Sequence, residues 1–218
     1  EGLLACNYSA KGRMSEPEDI VDEIERYSIF SKIENFDTVL KGKKILITSG
    51  RTKENIDPVR YLSNNSSGKM GYSLAQAAAD LGAEVTLISG PTDLKVPNGL
   101  ENFISVESAL EMYEKVDECF KNNDIFIACA AVADYRPKEY KKEKIKKSDS
   151  DLVMELVRNP DILLEMSKKK EKQLLVGFAA ETNEIRENAL KKLEKKNLDI
   201  IVANNASAMG SDENVIEI

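Results

Sequence analysis

Residues 44–81 read KILITSGRTKENIDPVRYLSNNSSGKMGYSLAQAAADL, and the order of elements in this stretch indicates an α/β fold. The strand-like run from Lys44 to Ser49 predicts a buried strand, and residues 72–81 have the apolar spacing of a helix. The loop between them brings hydroxyls, a glycine and a cation to the start of that helix, at Ser66, Ser67, Gly68 and Lys69. Because free amides at a helix N-terminus attract anions, this junction is a candidate binding site for a phosphate or carboxylate.

This loop differs from two familiar phosphate loops. In the Walker pattern, Ser63 stands where the leading glycine is required and Met70 where Ser or Thr is required. The Rossmann glycine fingerprint is missing after Gly50, and the next strand-like run ends in Ser89-Gly90 and not in the acid that would hold a ribose. The same residues are also typical of a polar turn that caps a helix. A nucleotide site of another kind and a purely structural turn both stay open at this point.

From residue 43 onward, short apolar runs alternate with amphipathic segments. Continuous apolar strands joined by helices imply a parallel sheet covered on both faces, so we expect a Rossmann-like, three-layer, doubly wound α/β fold with a mainly parallel sheet. The predicted strands are 44–49, 84–89, 102–106, 124–130, 174–179 and 199–204. The predicted helices are 69–81, 107–122, 160–170 and 183–196.

The first forty residues have a different composition and are too few to form a domain alone. They predict a glycine-containing loop to residue 12, an acidic amphipathic helix over residues 17–28 and a polar connector. We therefore expect a leader and linker at residues 1–40 and one domain at residues 41–218. The last residues, Asn-Val-Ile-Glu-Ile, are typical of the beginning of a strand, so we expect the sequence to be a piece of a longer polypeptide.

Composition excludes several classes of function. The formal charge of -7 argues against general nucleic-acid binding, although residues 138–147 contain six lysines. The absence of histidine removes Ser-His-Asp and Cys-His nucleophile systems. Three cysteines without metal-ligand spacing, Cys6, Cys119 and Cys129, suit a reducing compartment, so we expect a cytoplasmic protein. The apolar runs are well short of the ~20 residues that a membrane-spanning helix needs, so no membrane partner is expected.

Several motifs together resemble one family. They are the stretch 49–71, the run AAVADYR at 130–136, EKIKK at 143–147, NPD at 159–161 and GFAAET at 177–182. In this order they resemble the phosphopantothenoylcysteine synthetase domain of the bifunctional coenzyme A biosynthesis protein. The leader is similar to the end of the decarboxylase domain that precedes the synthetase in that family, with Cys6 at its proton-donating cysteine. Asn7 and Ala10 stand where that family has glycines.

The resemblance implies ligation of 4'-phosphopantothenate with L-cysteine. CTP, with Mg²⁺, would activate the carboxylate as an acyl-cytidylate before the cysteine amine displaces CMP. Lys144 matches the family lysine that neutralises charge in the first step, and Asn64 matches the family asparagine that handles the acyl intermediate. Arg60 resembles a catalytic arginine of the family, whose planar fork suits a phosphate or a carboxylate. FMN and decarboxylation through Cys6 are implied only for the full-length protein, and a homodimer of the ligase domain is implied as well.

A second set of residues is expected to bind the nucleotide and the substrate. Asp134 is the possible magnesium ligand, and the backbone of Ala128, Cys129 and Ala130 is expected to be free to read a base or ribose. The whole binding set is Ser66, Ser67, Gly68, Lys69, Ala128, Cys129, Ala130, Asp134, Lys144, Pro160, Asp161, Ile162, Leu163, Phe178, Lys192 and Lys196.

Structural interpretations stay open for individual members of this set. Asp134 could cap a helix, Arg60 could hold its loop through a salt bridge, Phe178 could pack in the core, and Cys129 is expected to be a small buried side chain and not a reactive thiol. Two other functions also stay open, an NAD(P)-dependent Rossmann oxidoreductase and a nucleotide-binding module without catalysis.

Overall fold

The computed structural model describes residues 2–3, 9–10, 38–147, 151–181, 184–205 and 216–218. The chain divides into two units, Glu1–Val39 and Leu40–Ile218. In the first unit, β1 (Gly2–Leu3) pairs antiparallel with β2 (Ser9–Ala10), where the sequence predicted only a loop. The helix predicted over residues 17–28 and the side chain of Cys6 lie outside the described residues.

The second unit contains the remaining elements. Its strands are β3 (Lys44–Ser49), β4 (Lys53–Asn55), β5 (Tyr61–Ser63), β6 (Glu84–Ser89), β7 (Asn102–Ser105), β8 (Ile125–Ala128), β9 (Tyr135–Pro137), β10 (Leu156–Arg158), β11 (Leu174–Glu181), β12 (Ile200–Asn205) and β13 (Ile216–Glu217). Its helices, in the described part of the chain, are α1 (Lys69–Asp80), α2 (Ala109–Phe120), α3 (Ile162–Lys168) and α4 (Ile185–Lys195). No helix among the described residues is long and apolar enough to cross a membrane.

A seven-stranded sheet of order β13-β12-β11-β8-β3-β6-β7 forms the centre of this unit, as far as the structure describes it. Six of its strands run parallel, and β13 pairs antiparallel with β12 at one edge. This confirms the predicted Rossmann-like, mainly parallel sheet. From β3 the chain builds outward to β6 and β7 on one side and then to β8, β11 and β12 on the other. The strand order therefore reverses between β3 and β8, which is where open α/β sheets bind their ligands.

Both faces of the sheet are buried, which explains the continuous apolar strands. On β3, Leu46 belongs to one core cluster together with residues of α2, α3 and α4. Its neighbours Ile45 and Ile47 belong to a second cluster, on the α1 side. A strand with a core on each side cannot alternate apolar and polar residues, because both sets of side chains leave water.

Two short hairpins outside the central sheet were not predicted. β4 pairs antiparallel with β5, and β9 pairs antiparallel with β10. Each of these strands has three residues and most of its positions are at least partly exposed, so neither carries a hydrophobic pattern that sequence could reveal. The first hairpin lies before residues 64–68, here called the serine loop. The strands of the second lie on either side of residues 138–147, here called the lysine-rich segment. Both lie where the resemblance implied functional residues.

Candidate active site

The loops that leave β3 and β8 continue to pair beyond the ends of the strands. The amide of Cys129 donates to the carbonyl of Thr48 at 3.2 Å, and the amide of Ala131 donates to the carbonyl of Gly50 at 2.8 Å. The amide of Ala130 donates to the Thr48 hydroxyl at 3.4 Å. The expectation that backbone groups of Ala128–Ala130 are free was therefore wrong for the amides of Cys129 and Ala130. These bonds join the two loops directly beyond the carboxyl ends of β3 and β8.

The serine loop, which precedes α1, is held by hydrogen bonds between its own side chains and backbone. The amide of Gly68 donates to Ser66 Oγ at 3.3 Å, and the amide of Lys69 donates to Ser67 Oγ at 3.4 Å. Gly68 precedes α1 with a φ of 81°, a left-handed conformation that glycine adopts without a steric penalty. The polar-turn interpretation is thus correct for both serines. It does not exclude an anion site, because α1 has no acidic residue in its first turn.

Three side chains, two from neighbouring loops and one from the end of β3, donate hydrogen bonds to carbonyl oxygens of the serine loop. Arg51 Nη1 donates to the carbonyl of Ser66 at 3.2 Å, and Thr92 Oγ1 donates to that of Ser67 at 3.1 Å. Ser49 Oγ, at the end of β3, donates to the carbonyl of Gly68 at 3.0 Å. The loop is therefore held in one shape before any ligand arrives, which lowers the entropy cost of binding. Sequence reasoning named neither Arg51 nor Thr92 for this part.

Gly71 allows α1 to approach β3 closely. A Cβ atom at this position would lie 2.3 Å from Ser49 Oγ and 2.5 Å from Ser49 Cβ, both far inside van der Waals contact. The first turn of α1 therefore rests directly on the last residue of β3. This close approach places the helix N-terminus at the switch point of the sheet.

Asn64 connects the serine loop to the loop after β8. Its Nδ2 donates to the carbonyls of Ala131 and Val132, at 3.3 Å and 3.0 Å. The residue is exposed at the carboxyl edge, as the resemblance implied, but both amide hydrogens already have acceptors. In this state Asn64 is a bridge between two loops and has no free donor for an oxyanion.

Asn159 continues the same network toward β11; it belongs to the NPD motif, but the sequence gave it no place among the predicted site residues. Its Nδ2 donates to the carbonyl of Ala133 at 2.8 Å, and its own amide donates to the carbonyl of Asp134 at 2.8 Å. Arg136 Nη1 donates to Asn159 Oδ1 at 3.0 Å. Asp134 is exposed and precedes β9, so the alternative that it caps a helix was wrong.

Asp161 and two lysines complete the edge. Asp161 is the N-cap of α3 and accepts from the amide of Leu164 at 3.1 Å. The predicted start of this helix at Pro160 was therefore wrong, because Pro160 lies before the cap and the helix begins at Ile162. Lys196 Nζ lies 2.9 Å from Asp161 Oδ1, and Lys192 Nζ donates to the carbonyl of Phe178. Burial raises the pKa of Asp161, but hydrogen bonds from Lys196 and the Leu164 amide outweigh it and keep that pKa below its ordinary value.

The remaining predicted positions are divided between core and surface. Ile162 and Leu163 are buried in the core, so only their backbone could face a ligand. Phe178 lies within β11 and is partly buried, not at the strand end. Burial raises the pKa of Cys129 to about 12, in keeping with the expectation that it is not a reactive thiol. Among the described residues, no three Cys, Asp or Glu side chains form a group that could hold a metal ion.

Arg60 and Lys144 belong to a separate cluster beside the edge. Arg60 Nε and Nη2 donate to Asp57 Oδ2 at 3.0 Å and 2.5 Å, so the predicted structural alternative, a salt bridge within the loop, is present. Arg60 Nη2 also donates to the carbonyl of Ile145 at 2.9 Å. Lys144, the neighbour of Ile145, is exposed. The structure thus joins the loop of Arg60 to the segment of Lys144.

Asp57 is the functional candidate that sequence reasoning missed. Its carboxylate accepts from the amides of Val59 and Arg60 at 2.9 Å each, and the Arg60 guanidinium holds its pKa well below the usual range. A signal was present, because an aspartate before Pro58 is typical of a turn in which the side chain binds amides two and three residues on.

Comparisons with known proteins agree with this geometry. Residues 40–218 match the family described as DNA/pantothenate metabolism flavoprotein C-terminal domain. The coenzyme A biosynthesis bifunctional protein CoaBC of Bacillus subtilis (strain 168) is 50% identical over 222 residues, which cover 100% of this chain and 54% of that protein. The chain therefore spans about half the length of the curated relatives that it matches.

Solved structures give the same result. The crystal structure of the C-terminal domain of coenzyme A biosynthesis bifunctional protein CoaBC aligns with a TM-score of 0.70 and 46% identity, over 83% of this chain and 88% of that one. A Cab2 mutant in complex with phosphopantothenate-cysteine aligns with a TM-score of 0.64 at 18% identity, over 88% of this chain and 80% of that one, which supports the fold alone. The sheet, its switch point and the family match lead to one conclusion: the chain belongs to the DNA/pantothenate metabolism flavoprotein C-terminal domain family.

Proposed function

We propose that this chain carries the phosphopantothenate-cysteine ligase activity of a coenzyme A biosynthesis protein. It would join 4'-phosphopantothenate to L-cysteine in the presence of CTP, through an acyl-cytidylate, and release CMP and pyrophosphate. The family match and the CoaBC relatives support this class of enzyme. We further propose that the protein works in the cytoplasm, which its sparse cysteines suit.

One observation carries the proposal: a hydrogen-bonded network runs along the carboxyl edge of the sheet. It passes from Asn64 to the loop after β8, then through Asn159 to the start of α3. From there Asp161 reaches Lys196 on the segment that follows α4. Three of the residues expected to bind nucleotide take part in this network, Asp134 through its carbonyl and Asp161 and Lys196 through their ion pair. A ligand at this edge would contact four loops whose relative positions are already fixed.

The first half-reaction develops negative charge on the α-phosphate and on pyrophosphate, so it needs fixed positive charge. The N-terminus of α1, Lys192 and Lys196 offer that charge at the edge. Lys144 is proposed as the cation that acts on the reacting phosphate when its segment lies over the nucleotide. Mg²⁺ is usually held by phosphate oxygens and one or two carboxylates, and the exposed carboxylate of Asp134 fits such a role.

The second half-reaction forms a tetrahedral oxyanion when the cysteine amine attacks. Asn64 is proposed as the hydrogen-bond donor to this oxyanion. Its Nδ2 now donates to two backbone carbonyls, so at least one of these bonds must break before Asn64 can donate to the intermediate. One amide hydrogen leaves its carbonyl and turns to the intermediate, while the other keeps the side chain in place. Loss of such a donor costs about 3 kcal/mol in barrier height. Arg60 is proposed to act in the same step, through its position beside the substrate.

The bifunctional relatives imply a second activity in a longer protein. FMN and a decarboxylation that uses Cys6 as proton donor are proposed for that full-length protein and not for this chain. The match of this chain to about half of each relative is the reason for the distinction.

A homodimer is proposed from the surface around the lysine-rich segment. Several large apolar side chains near it are exposed, among them Val153 at 90% and Val59 at 59%. A nearby cavity of about 230 Å³ is lined in part by Ile56, Ile145 and Leu152. A second copy of the chain would cover this apolar surface. Light scattering after gel filtration should give twice the monomer mass, and a monomer at all concentrations would contradict this proposal.

Calorimetric titration with Mg²⁺ and CTP, beside ATP and NADPH, is the first test. Selective binding of CTP supports the ligase, and selective binding of ATP corrects the choice of nucleotide. Selective binding of NADPH would favour an oxidoreductase, which the sheet order alone also allows because dinucleotide-binding folds share it. A nucleotide-binding module without catalysis would bind CTP but release no pyrophosphate when 4'-phosphopantothenate is added.

The division of roles is tested with two variants in a quenched-flow experiment. Lys144→Gln should abolish formation of the acyl-cytidylate, because it removes the cation of the first step. Asn64→Asp should allow the intermediate to form but slow its reaction with cysteine. Mass detection of the intermediate separates the two outcomes, and equal accumulation in both variants would contradict the assignment.

A further inference from the structure

Asp57 is a fully buried carboxylate next to the serine loop and the lysine-rich segment. Its side chain is 0% exposed, whereas that of its ion-pair partner Arg60 is 42% exposed. Five N–H bonds reach it, two on Oδ1 from the amides of Val59 and Arg60 and three on Oδ2. Every partner is a donor, so a group at this position must accept at both oxygens. Only a carboxylate does this among side chains of that size.

The third donor to Oδ2 connects Asp57 to the segment that carries Lys144. The amide of Ile145 lies 3.1 Å from Asp57 Oδ2, and the carbonyl of Ile145 accepts from Arg60 Nη2 at 2.9 Å. The ion pair of Asp57 and Arg60 therefore binds both the amide and the carbonyl of Ile145. A second backbone bond, from the amide of Lys141 to the carbonyl of Ile56 at 2.9 Å, holds the segment four residues earlier.

We propose that Asp57 is a positioning residue of the ligase reaction, which fixes Lys144 by anchoring the backbone of Ile145 directly and through Arg60. The inference rests on the proposed function for its catalytic meaning, but the anchoring itself does not. Asp57 touches no reacting atom. It sets where the neighbouring lysine can reach, and a misplacement of about 1 Å can cost about 100-fold in rate.

The anchor also assigns a second task to Arg60. The guanidinium of Arg60 forms an ion pair with the buried carboxylate of Asp57 and also donates to the carbonyl of Ile145. In this state it links the turn that begins at Asp57 to the lysine-rich segment. A phosphate or carboxylate ligand would compete with Asp57 for the same fork of donors. Movement of Arg60 toward a ligand would loosen one of the two bonds on Ile145, and would thereby couple the second half-reaction to release of the Lys144 segment.

The anchoring is tested by hydrogen exchange in the absence of any ligand. In Asp57→Asn one accepting oxygen is replaced by an NH2 group, which would face N–H donors. The hydrogen bonds from Arg60 and Ile145 therefore cannot all persist. Exchange in peptides that cover residues 141–147 should rise by about 10- to 100-fold, as expected for the loss of charge-assisted hydrogen bonds. Peptides of β3 should keep the protection they have in the wild type. Unchanged exchange over residues 141–147 would overturn the proposal.

A matched control is available at the opposite edge of the sheet. The Asp199 carboxylate also binds a cation and a backbone amide, those of Lys170 and Leu175. Asp199→Asn should lower thermal stability without raising exchange over residues 141–147. If Asp57→Asn fails to fold, Ile145→Pro removes the same hydrogen bond from the other side, because proline has no amide hydrogen. That variant should loosen the segment and leave the Asp57-Arg60 pair in place.

The catalytic part is tested by pyrophosphate release from CTP and 4'-phosphopantothenate without cysteine. Asp57→Asn should slow release by about 10- to 100-fold at saturating CTP and change the dissociation constant for CTP by less than about threefold, since the nucleotide edge is untouched. A rate equal to that of the wild type would overturn the catalytic part. If the wild type itself releases no pyrophosphate, the proposed function fails, and hydrogen exchange alone then decides whether Asp57 anchors the segment.

Discussion

Replacement of Gly71 by alanine should destabilise the domain by about 2 kcal/mol and should disturb the serine loop. The new Cβ would lie 2.3 Å from Ser49 Oγ and 2.5 Å from Ser49 Cβ, where about 3.5 Å is the normal contact. The first turn of α1 must therefore move away from β3 by roughly 1 Å. That movement also separates Ser49 Oγ from the carbonyl of Gly68, a bond of 3.0 Å in a buried position.

The magnitude follows from three contributions. Overpacking at a rigid contact costs about 1–3 kcal/mol, and loss of the buried hydrogen bond costs about 1 kcal/mol more. Alanine gains up to about 1 kcal/mol over glycine in a helix, which offsets part of this cost. The balance is a loss of about 2 kcal/mol. Since the moved turn carries the proposed anion site, the rate of pyrophosphate release should fall as well, by up to about 100-fold.

Urea unfolding followed by circular dichroism measures the stability, with two further variants as controls. Gly42 has a φ of 77° and nothing within 4 Å of its added Cβ, so Gly42→Ala should cost only about 1–2 kcal/mol of backbone strain and leave the active site intact. The double change Gly71→Ala and Ser49→Gly removes the two closest contacts and leaves only the backbone Cα of residue 49, at 3.2 Å from the new Cβ. Gly71→Ala should therefore cost much less in the Ser49→Gly background than in the wild type. A Gly71→Ala protein as stable as the wild type, or no recovery in the double variant, would refute this reasoning.

Three more predictions concern single side chains. Asp57→Asn should reduce stability at neutral pH, and its difference in unfolding free energy from the wild type should narrow as the pH falls below about 4. The Arg60 guanidinium lowers the pKa of Asp57 in the folded protein, so the stabilisation by this carboxylate is complete above the pKa of the unfolded chain and is lost progressively below it. Urea unfolding across pH 2.5–7 tests this. Cys129, whose pKa burial raises to about 12, should resist iodoacetamide at pH 8 in the native protein and react in urea, as peptide mass spectrometry will show. Asp161→Ala should cost about 1 kcal/mol more than Asp161→Asn, because asparagine still accepts from the amide of Leu164; equal melting temperatures would contradict the cap.

The central sheet was predictable because its strands carry a strong signal. The run from Lys44 to Ser49 has three consecutive apolar residues, Ile45 to Ile47, and every position after Lys44 is buried, so no alternation was needed to recognise the strand. The start of α1 at Lys69 was predicted too, because the glycine and serines before it mark a helix boundary. Element ends were less certain: β11 continues to Glu181 because it pairs with β12 as far as Asn205, a partner that lies elsewhere in the sequence.

The sequence pointed to single residues of the candidate site but not to the hydrogen-bonded network between them. The resemblance named Asn64, Asp161 and Lys196, and the structure places all three at one edge. The resemblance gave no indication that Asn159 joins these residues, because that role depends on carbonyl oxygens of a loop more than twenty residues away. The same reason hid Asp57, whose partner Ile145 is far along the chain. The Asp57-Pro58 pair signalled only the local turn, because long-range hydrogen bonds to backbone leave no pattern in the sequence around them.

The middle position of β3 in the sheet separates its two pairing partners along the chain, and we expect this to matter during synthesis. One edge of β3 pairs with β6 soon after both have left the ribosome, but the other waits for β8, which pairs Leu46 with Phe126. At about 5–20 residues per second that wait lasts roughly 4 to 15 s. Throughout it an apolar strand edge is open to other chains, a known route to aggregation. Yield on expression should therefore depend on how soon β8 is translated, and slow codons between β6 and β8 should lower it.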